Sequence, residues 1–182
     1  MKIANNVQFM IFSDKPCSGS GKECGFYNGK IAYQGFDGPK KAFFFEFQMP
    51  SDMSGGQNSD MPAIWALNAK IPRLGQYSEC SCWATGCGEI DLFEVLAPGS
   101  DKCVQAVHAT KGSNKNSGTP CDYFQRPVDK TMKAATIFDV DSGSVKTVVL
   151  PDDTSFDDGF SAEDIAGFLS KASSKSHFKM LS

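Results

Sequence analysis

Three carboxylates, Glu89, Asp91 and Glu94, fall within six consecutive residues of the apolar run GEIDLFEVLA. Acids so close together can share proton transfer and nucleophilic attack on one substrate, provided that a single face presents them all. Along a regular strand, residues two apart share a face and step about 6.6 Å. Glu89 and Asp91 then point one way, with Ile90 and Leu92 opposite. Glu94 stands five positions after Glu89, so an uninterrupted strand turns it to the other side. A β-bulge at Leu92-Phe93, which sets two residues against one, returns it to the face of the other two. The spacing therefore predicts a strand with an irregularity there and all three acids aligned.

Like charges aligned on a sheet repel, and a purely structural strand has little reason to keep them. The alternative is a solvated acidic edge strand with Glu94 on the opposite face. Side-chain lengths weigh against it. The outer Cα atoms lie about 13 Å apart over four strand steps. Two Glu side chains leaning inward bring their carboxyls to roughly 5–6 Å, near the ~5–5.5 Å separation of retaining glycoside hydrolysis. The shorter Asp91 between them can contact one Glu without filling the sugar site. A proton shared there separates the pKa values of the pair.

The rest of the chain must position these acids. Its 182 residues suffice for one domain with a real core and are too few for two comfortable ones. A net charge of −3 argues against a nucleic-acid or anionic-membrane surface. No apolar run approaches the roughly 20 residues that cross a bilayer, so no membrane insertion is expected. Phe 15, Tyr 4, Trp 2 and Gly 17 suit an all-β domain.

Short strand-like runs recur, separated by turn signals: NNVQFMIFS, GKIAYQGF, AFFFEFQMP, MPAIWALN, EIDLFEVLA and VQAVHATK. In AFFFEFQMP, Phe43, Phe45, Phe47 and Met49 alternate against Phe44, Glu46 and Gln48, a period of two. KAATIFDVDSGSVKTVVL reads as a hairpin turning at Asp141-Ser142-Gly143. One late helix is credible in SAEDIAGFLSKA, with Ser161 as N-cap, Glu163 and Asp164 in the first turn, and Ile165, Phe168 and Leu169 on one face. The tail SSKSHFKMLS shows no clear pattern. This succession suggests a β-sandwich or jelly roll.

Cys17, Cys24, Cys80, Cys82, Cys87, Cys103 and Cys121 sit largely in polar, Gly- and Ser-rich loops, which favours disulfides and an oxidising compartment. Cys17 and Cys24 are close enough to pair across CSGSGKEC. Zinc on Cys80, Cys82, Cys87 and Cys103 is the alternative, although C-x-C-x4-C is not a usual paired spacing. The odd count leaves one thiol free or missing its partner. MKIANNVQFMIF lacks the apolar centre and cleavage site of a signal peptide, so the cysteines point to a mature secreted fragment.

GEIDLFE resembles the bulged E-[ILV]-D-x-x-E signature of laminarinase-like members of glycoside hydrolase family 16. MPAIWALN is similar to the strand that precedes that signature, and VHATKG to the His-bearing strand that follows it. Four blocks, CGFYNGKIAYQGFDGPKKAFFFEFQMP, DMPAIWALNAKIPR, CSCWATGCGEIDLFEVL and YFQRPVDKTMKAA, resemble in order the fungal and oomycete cell-wall proteins with a glucanase-like C-terminal domain. The likeness runs from about residue 7 to 170. It implies a concanavalin-like β-jelly roll with the acids on the concave face of a curved sheet. It also implies Glu89 as nucleophile, Asp91 as assisting acid and Glu94 as general acid/base.

Trp65 matches the aromatic that floors the sugar cleft, and His108 a cleft residue on the neighbouring strand. Trp65 could equally be a core tryptophan, and His108 could be structural. Trp83 could stack on a sugar, or could pack in the core or cover a disulfide. Two departures stand out. Related domains contain more upstream strands, so an edge of the sandwich is expected to be absent. The arginine common before MPAIW has no match in FFFEFQM.

The expected function is a retaining endo-β-1,3-glucanase or glucan transglycosylase. It is expected to be monomeric, to need no cofactor or metal, and to act on β-1,3- or mixed-linkage β-glucan, secreted or in the cell wall. The alternative is a non-catalytic wall-glucan binder or structural wall protein, which has no need of the complete Glu-Asp-Glu triple.

Overall fold

The structure is a computed structural model that describes residues 1–18, 33–69, 88–108, 123–171 and 177–179. Strands β1 (Lys40–Phe47), β2 (Ala63–Leu67), β3 (Glu89–Glu94), β4 (Lys102–His108), β5 (Tyr123–Gln125), β6 (Met132–Asp139), β7 (Ser144–Leu150) and β8 (His177–Lys179) form two antiparallel sheets, and helix α1 covers Ala162–Lys171. One sheet has the order β1-β6-β7-β8 and the other β2-β3-β4-β5. This is the expected all-β sandwich with one late helix.

The period of two in β1 sets its layers. Phe45 and Phe47 face the second sheet and pack with Met49, Leu92, Phe93, Val95, Cys103 and Ala134. Phe44 faces outward, where Ala135, Ile137, Val148 and Leu150 meet Ile165, Phe168 and Leu169 of α1. Phe44 also stacks on Phe160, with ring centroids 4.2 Å apart. The β6–β7 hairpin turns where expected: Gly143 has a φ of 59° and its N–H donates to the Val140 carbonyl.

Three expectations need correction. NNVQFMIFS is not a strand, and Val7, Phe9 and Ile11 stay exposed. Its alternation is real, but a strand exists only where a neighbouring backbone pairs with it, and among the described residues no ladder reaches this segment. Of GKIAYQGF, residues 29–32 lie outside the described residues, and Tyr33 makes only an isolated bridge with Pro16. The patternless tail contributes β8, paired with β7. Cys17 is disulfide-bonded to a residue outside the described ones, among which falls Cys24. Cys103 is a free thiol buried in the core, its Sγ 3.6 Å from Sδ of Met49. Cys80, Cys82 and Cys87 also lie outside the described residues.

A buried ion pair, Asp60 with Arg126, ties several loops together. Asp60 Oδ1 accepts from Arg126 Nη2 at 2.5 Å, and its carboxylate also accepts from the N–H groups of Asp52 and Gly99. Arg126 donates onward to the carbonyls of Met49, Pro50 and Ser100. Loops that leave β1, β3 and β5 are thereby tied to one point.

Candidate active site

The acids owe their placement to the register of the second sheet. Directly paired residues of antiparallel strands lie on the same face. The pairs form three rows across β2, β3 and β4: Leu67–Glu89–His108, Trp65–Asp91–Ala106 and Ala63–Glu94–Val104. Positions 63, 65 and 67 alternate regularly along β2, as do 104, 106 and 108 along β4, so all three acids share one face. Between Asp91 and Glu94, β3 advances three residues while β4 moves two, from Ala106 to Val104. That extra residue is the bulge expected at Leu92-Phe93. Both bulge side chains are buried in the core, 2% and 0% exposed, which anchors the irregularity from behind.

Just before β3, Gly88 has a φ of 104°, a left-handed conformation that disfavours other residues. Its carbonyl accepts from the Asn68 N–H and its N–H donates to the His108 carbonyl, so the ladder begins one residue ahead of Glu89.

Burial pushes all three carboxyls upward, and neighbouring charge adds to it at Asp91 and Glu89. Asp91, 4% exposed, is raised to about 8 by burial and then by the charges of Glu94 and Glu89. Glu89 is raised by burial and by Glu94, and Glu94 by burial. His108 is buried, its pKa lowered by that burial, and its Nε2 lies 3.2 Å from Oδ2 of Asp91. That geometry allows an ion pair, but burial disfavours the charged form of both partners. Near neutral pH the pair is therefore a protonated Asp91 donating to a neutral imidazole.

Trp65, half-buried, stands on β2 beside Asp91 on the acid face. Trp83 lies outside the described residues. Among the described residues, no group of three or more His, Cys, Asp or Glu side chains is placed to hold a metal ion. No helix among them is long and apolar enough to cross a membrane.

The face also holds residues that sequence reasoning missed. Tyr123 pairs with Val104, and Gln125 with Lys102, which extends the acid face onto β5. A strand of three residues carries too little alternation to be read from the sequence. Asp60 and Arg126 were missed as well, because ion pairing over 66 positions leaves no local signal.

Together the arrangement offers a protonatable triad of carboxyls on a partly covered face, an imidazole set against the central one, and flanking aromatics. It can donate a proton to a departing group and attack an electrophilic carbon, the two carboxyls acting on opposite sides of the bond that breaks.

Residues 1–168 match the family model of the cell wall protein YJL171C/Tos1, C-terminal. A Saccharomyces cerevisiae protein named probable circularly permuted 1,3-beta-glucanase TOS1 is 51% identical over 177 residues, covering 94% of this chain and 37% of that protein. Its Candida albicans namesake is 47% identical over 180 residues, covering 94% and 38%. A Schizosaccharomyces pombe relative, also named a probable circularly permuted 1,3-beta-glucanase, is 42% identical over 174 residues, covering 92% and 34%. The chain thus spans less than two fifths of the length of these curated relatives. No solved structure matches it. On the extent of these matches, the chain belongs to the YJL171C/Tos1 family of cell wall proteins, and corresponds to its C-terminal region.

Proposed function

We propose that this chain carries the catalytic site of a retaining β-1,3-glucanase related to glycoside hydrolase family 16, secreted to the cell wall and acting there on β-glucan. The observation that carries the reading is the bulged strand with Glu89, Asp91 and Glu94 on one face. The names of the relatives support a glucan substrate. A non-catalytic wall-glucan binder would keep the aromatics, but gains nothing from three carboxyls crowded onto one partly buried face.

Glu89 attacks the anomeric carbon while Glu94 gives its proton to the departing glycosidic oxygen. The C–O bond to the leaving sugar breaks as the glycosyl ester forms. Glu94, now a carboxylate, then takes a proton from water, whose oxygen displaces Glu89 and restores the configuration. If a sugar hydroxyl replaces water, the same steps transfer glucan instead of hydrolysing it.

One proton must be shared between Glu89 and Glu94 before attack, because their repulsion is mutual. A bound glycan supplies the asymmetry, since its glycosidic oxygen accepts a hydrogen bond only from the protonated group. Asp91, neutral up to about 8, donates a hydrogen bond and adds no third charge. His108 accepts from it at 3.2 Å and orients it.

The test is a pair of variants assayed on β-1,3-glucan oligosaccharides and on an activated aryl β-glucoside. Glu89→Gln should abolish turnover on both while leaving oligosaccharide binding largely intact. Glu94→Gln should lose the oligosaccharides by about 10²–10⁴-fold yet still form the glycosyl-enzyme from the aryl substrate. Azide should then accelerate the second step, because an anionic nucleophile needs no general base. Wild-type inactivity on every β-glucan, with binding retained, would shift the reading to the wall binder.

A further inference from the structure

The acid face continues past the residues that do chemistry. Tyr123 lies in the Glu94 row, separated from it only by Val104 of β4. Two strand spacings place it about 10 Å from the Glu94 backbone, too far to touch the reacting ring and suited to a sugar beyond it. The Tyr123 residue is 52% exposed. Lys102 Nζ sits 4.8 Å from its ring centroid, a cation–π contact that orients the ring from one side. Gln125, exposed and paired with Lys102, stands in the next row of the same face.

Trp65 occupies β2, on the other side of the acid strand. The face therefore has an aromatic on each flank of the carboxyls, and a chain crossing the strands from β2 to β5 meets both. The line from Glu89 to Glu94 runs along β3, so a glycan whose scissile bond lies between them crosses that line and extends across the strands.

We infer that Tyr123, with Lys102 and Gln125 beside it, forms a glucan subsite on the leaving-group side of the cleft, where the departing or accepting oligosaccharide binds. This rests on the glucanase reading of the acid face and extends it to substrate length and acceptor use. Glu94 protonates the leaving sugar, and of the two ends of its row, Ala63 on β2 and Tyr123 on β5, only Tyr123 offers an aromatic platform, which favours the β5 flank for that side. The aromatic face offers the apolar C–H surface of a pyranose a stacking partner. The Lys102 ammonium and the Gln125 amide supply hydrogen bonds to its hydroxyls. An exposed edge tyrosine with no ligand is the plain alternative, and it predicts no effect of truncation.

The experiment compares wild type, Tyr123→Ala and Tyr123→Phe in the full chain, with a linear β-1,3-glucopentaose and a nitrophenyl β-1,3-linked disaccharide that has no sugar on the leaving side. Tyr123→Ala should raise KM for the pentaose about tenfold more than for the aryl substrate. It should also lower transfer to an added β-1,3-glucotriose acceptor relative to hydrolysis. Tyr123→Phe keeps the ring and should restore both. Equal changes on the two substrates, or none on either, would overturn the subsite while leaving the glucanase reading intact. Calorimetric binding of the pentaose is read in parallel. Loss of affinity in Tyr123→Ala with an inactive wild type would retain the subsite and remove the hydrolytic reading, whereas no binding by the wild type would end both.

Discussion

Asp91 is where the site works against the fold. Its folded pKa, about 8, lies above its ordinary value of 3.8, because burial and the two glutamates disfavour the anion. The folded state therefore holds a proton that the unfolded chain releases, and stability falls as pH rises between these values. Asp91→Asn removes the titration and keeps a hydrogen-bond donor for His108. Its melting temperature should gain on wild type as pH goes from 4 to 8, by roughly 2–4 °C for each kcal/mol. Scanning unfolding at both pH values measures this, and an advantage that did not change with pH would refute it. The two glutamates carry a kinetic counterpart. Both are shifted upward from the ordinary value of 4.5, so the bell-shaped pH profile of kcat/KM should have both limbs above that value. Glu94→Gln should remove the alkaline limb on an activated aryl glycoside.

At the scale of elements, the bulge in β3 and helix α1 do separable jobs. The bulge sets which face Glu94 joins, while α1 covers the outer face of the opposite sheet, away from the acids. The helix begins in a reciprocal cap. Ser161 Oγ accepts from the Asp164 N–H at 3.1 Å, and Asp164 Oδ2 accepts from the Ser161 N–H at 2.8 Å. Ser161→Ala should cost about 1 kcal/mol in denaturant unfolding. Its kcat on β-glucan should match wild type, because no residue of α1 reaches the acid face. A drop in kcat at unchanged stability would mean that helix and site are coupled in a way this packing does not provide.

Across the whole molecule, Asp60 and Arg126 join loops from both sheets. The Arg126 hydrogen bond leads the causes that hold the Asp60 carboxyl well below the usual carboxylate range, and it outweighs the opposing effect of burial. A depressed pKa stabilises the fold above the unfolded value of 3.8, and that stability is lost as pH falls through the folded value. Asp60→Asn tolerates the native φ of 59° but leaves a buried guanidinium without its counter-charge. It should cost on the order of 3 kcal/mol at pH 7. The difference from wild type should shrink in acid, which urea unfolding at pH 7 and pH 3 would reveal. A constant difference would assign the loss to packing and not to charge.

Local spacing determined the core of the site. Glu89, Asp91 and Glu94 demand an extra residue in any strand that aligns them, and the requirement holds whatever the neighbours are. The alternation in β1, the hairpin at Gly143 and the cap at Ser161 were legible for the same reason, since each depends on residues a few positions apart. Strand pairing was not legible. NNVQFMIFS has an apolar alternation without a ladder, whereas the short YFQ and HFK runs have ladders with little pattern. Only the tertiary register could bring Tyr123 into the row of Glu94, or Arg126 to Asp60, because contacts between distant segments are chosen by which backbones find partners and leave no period in the sequence.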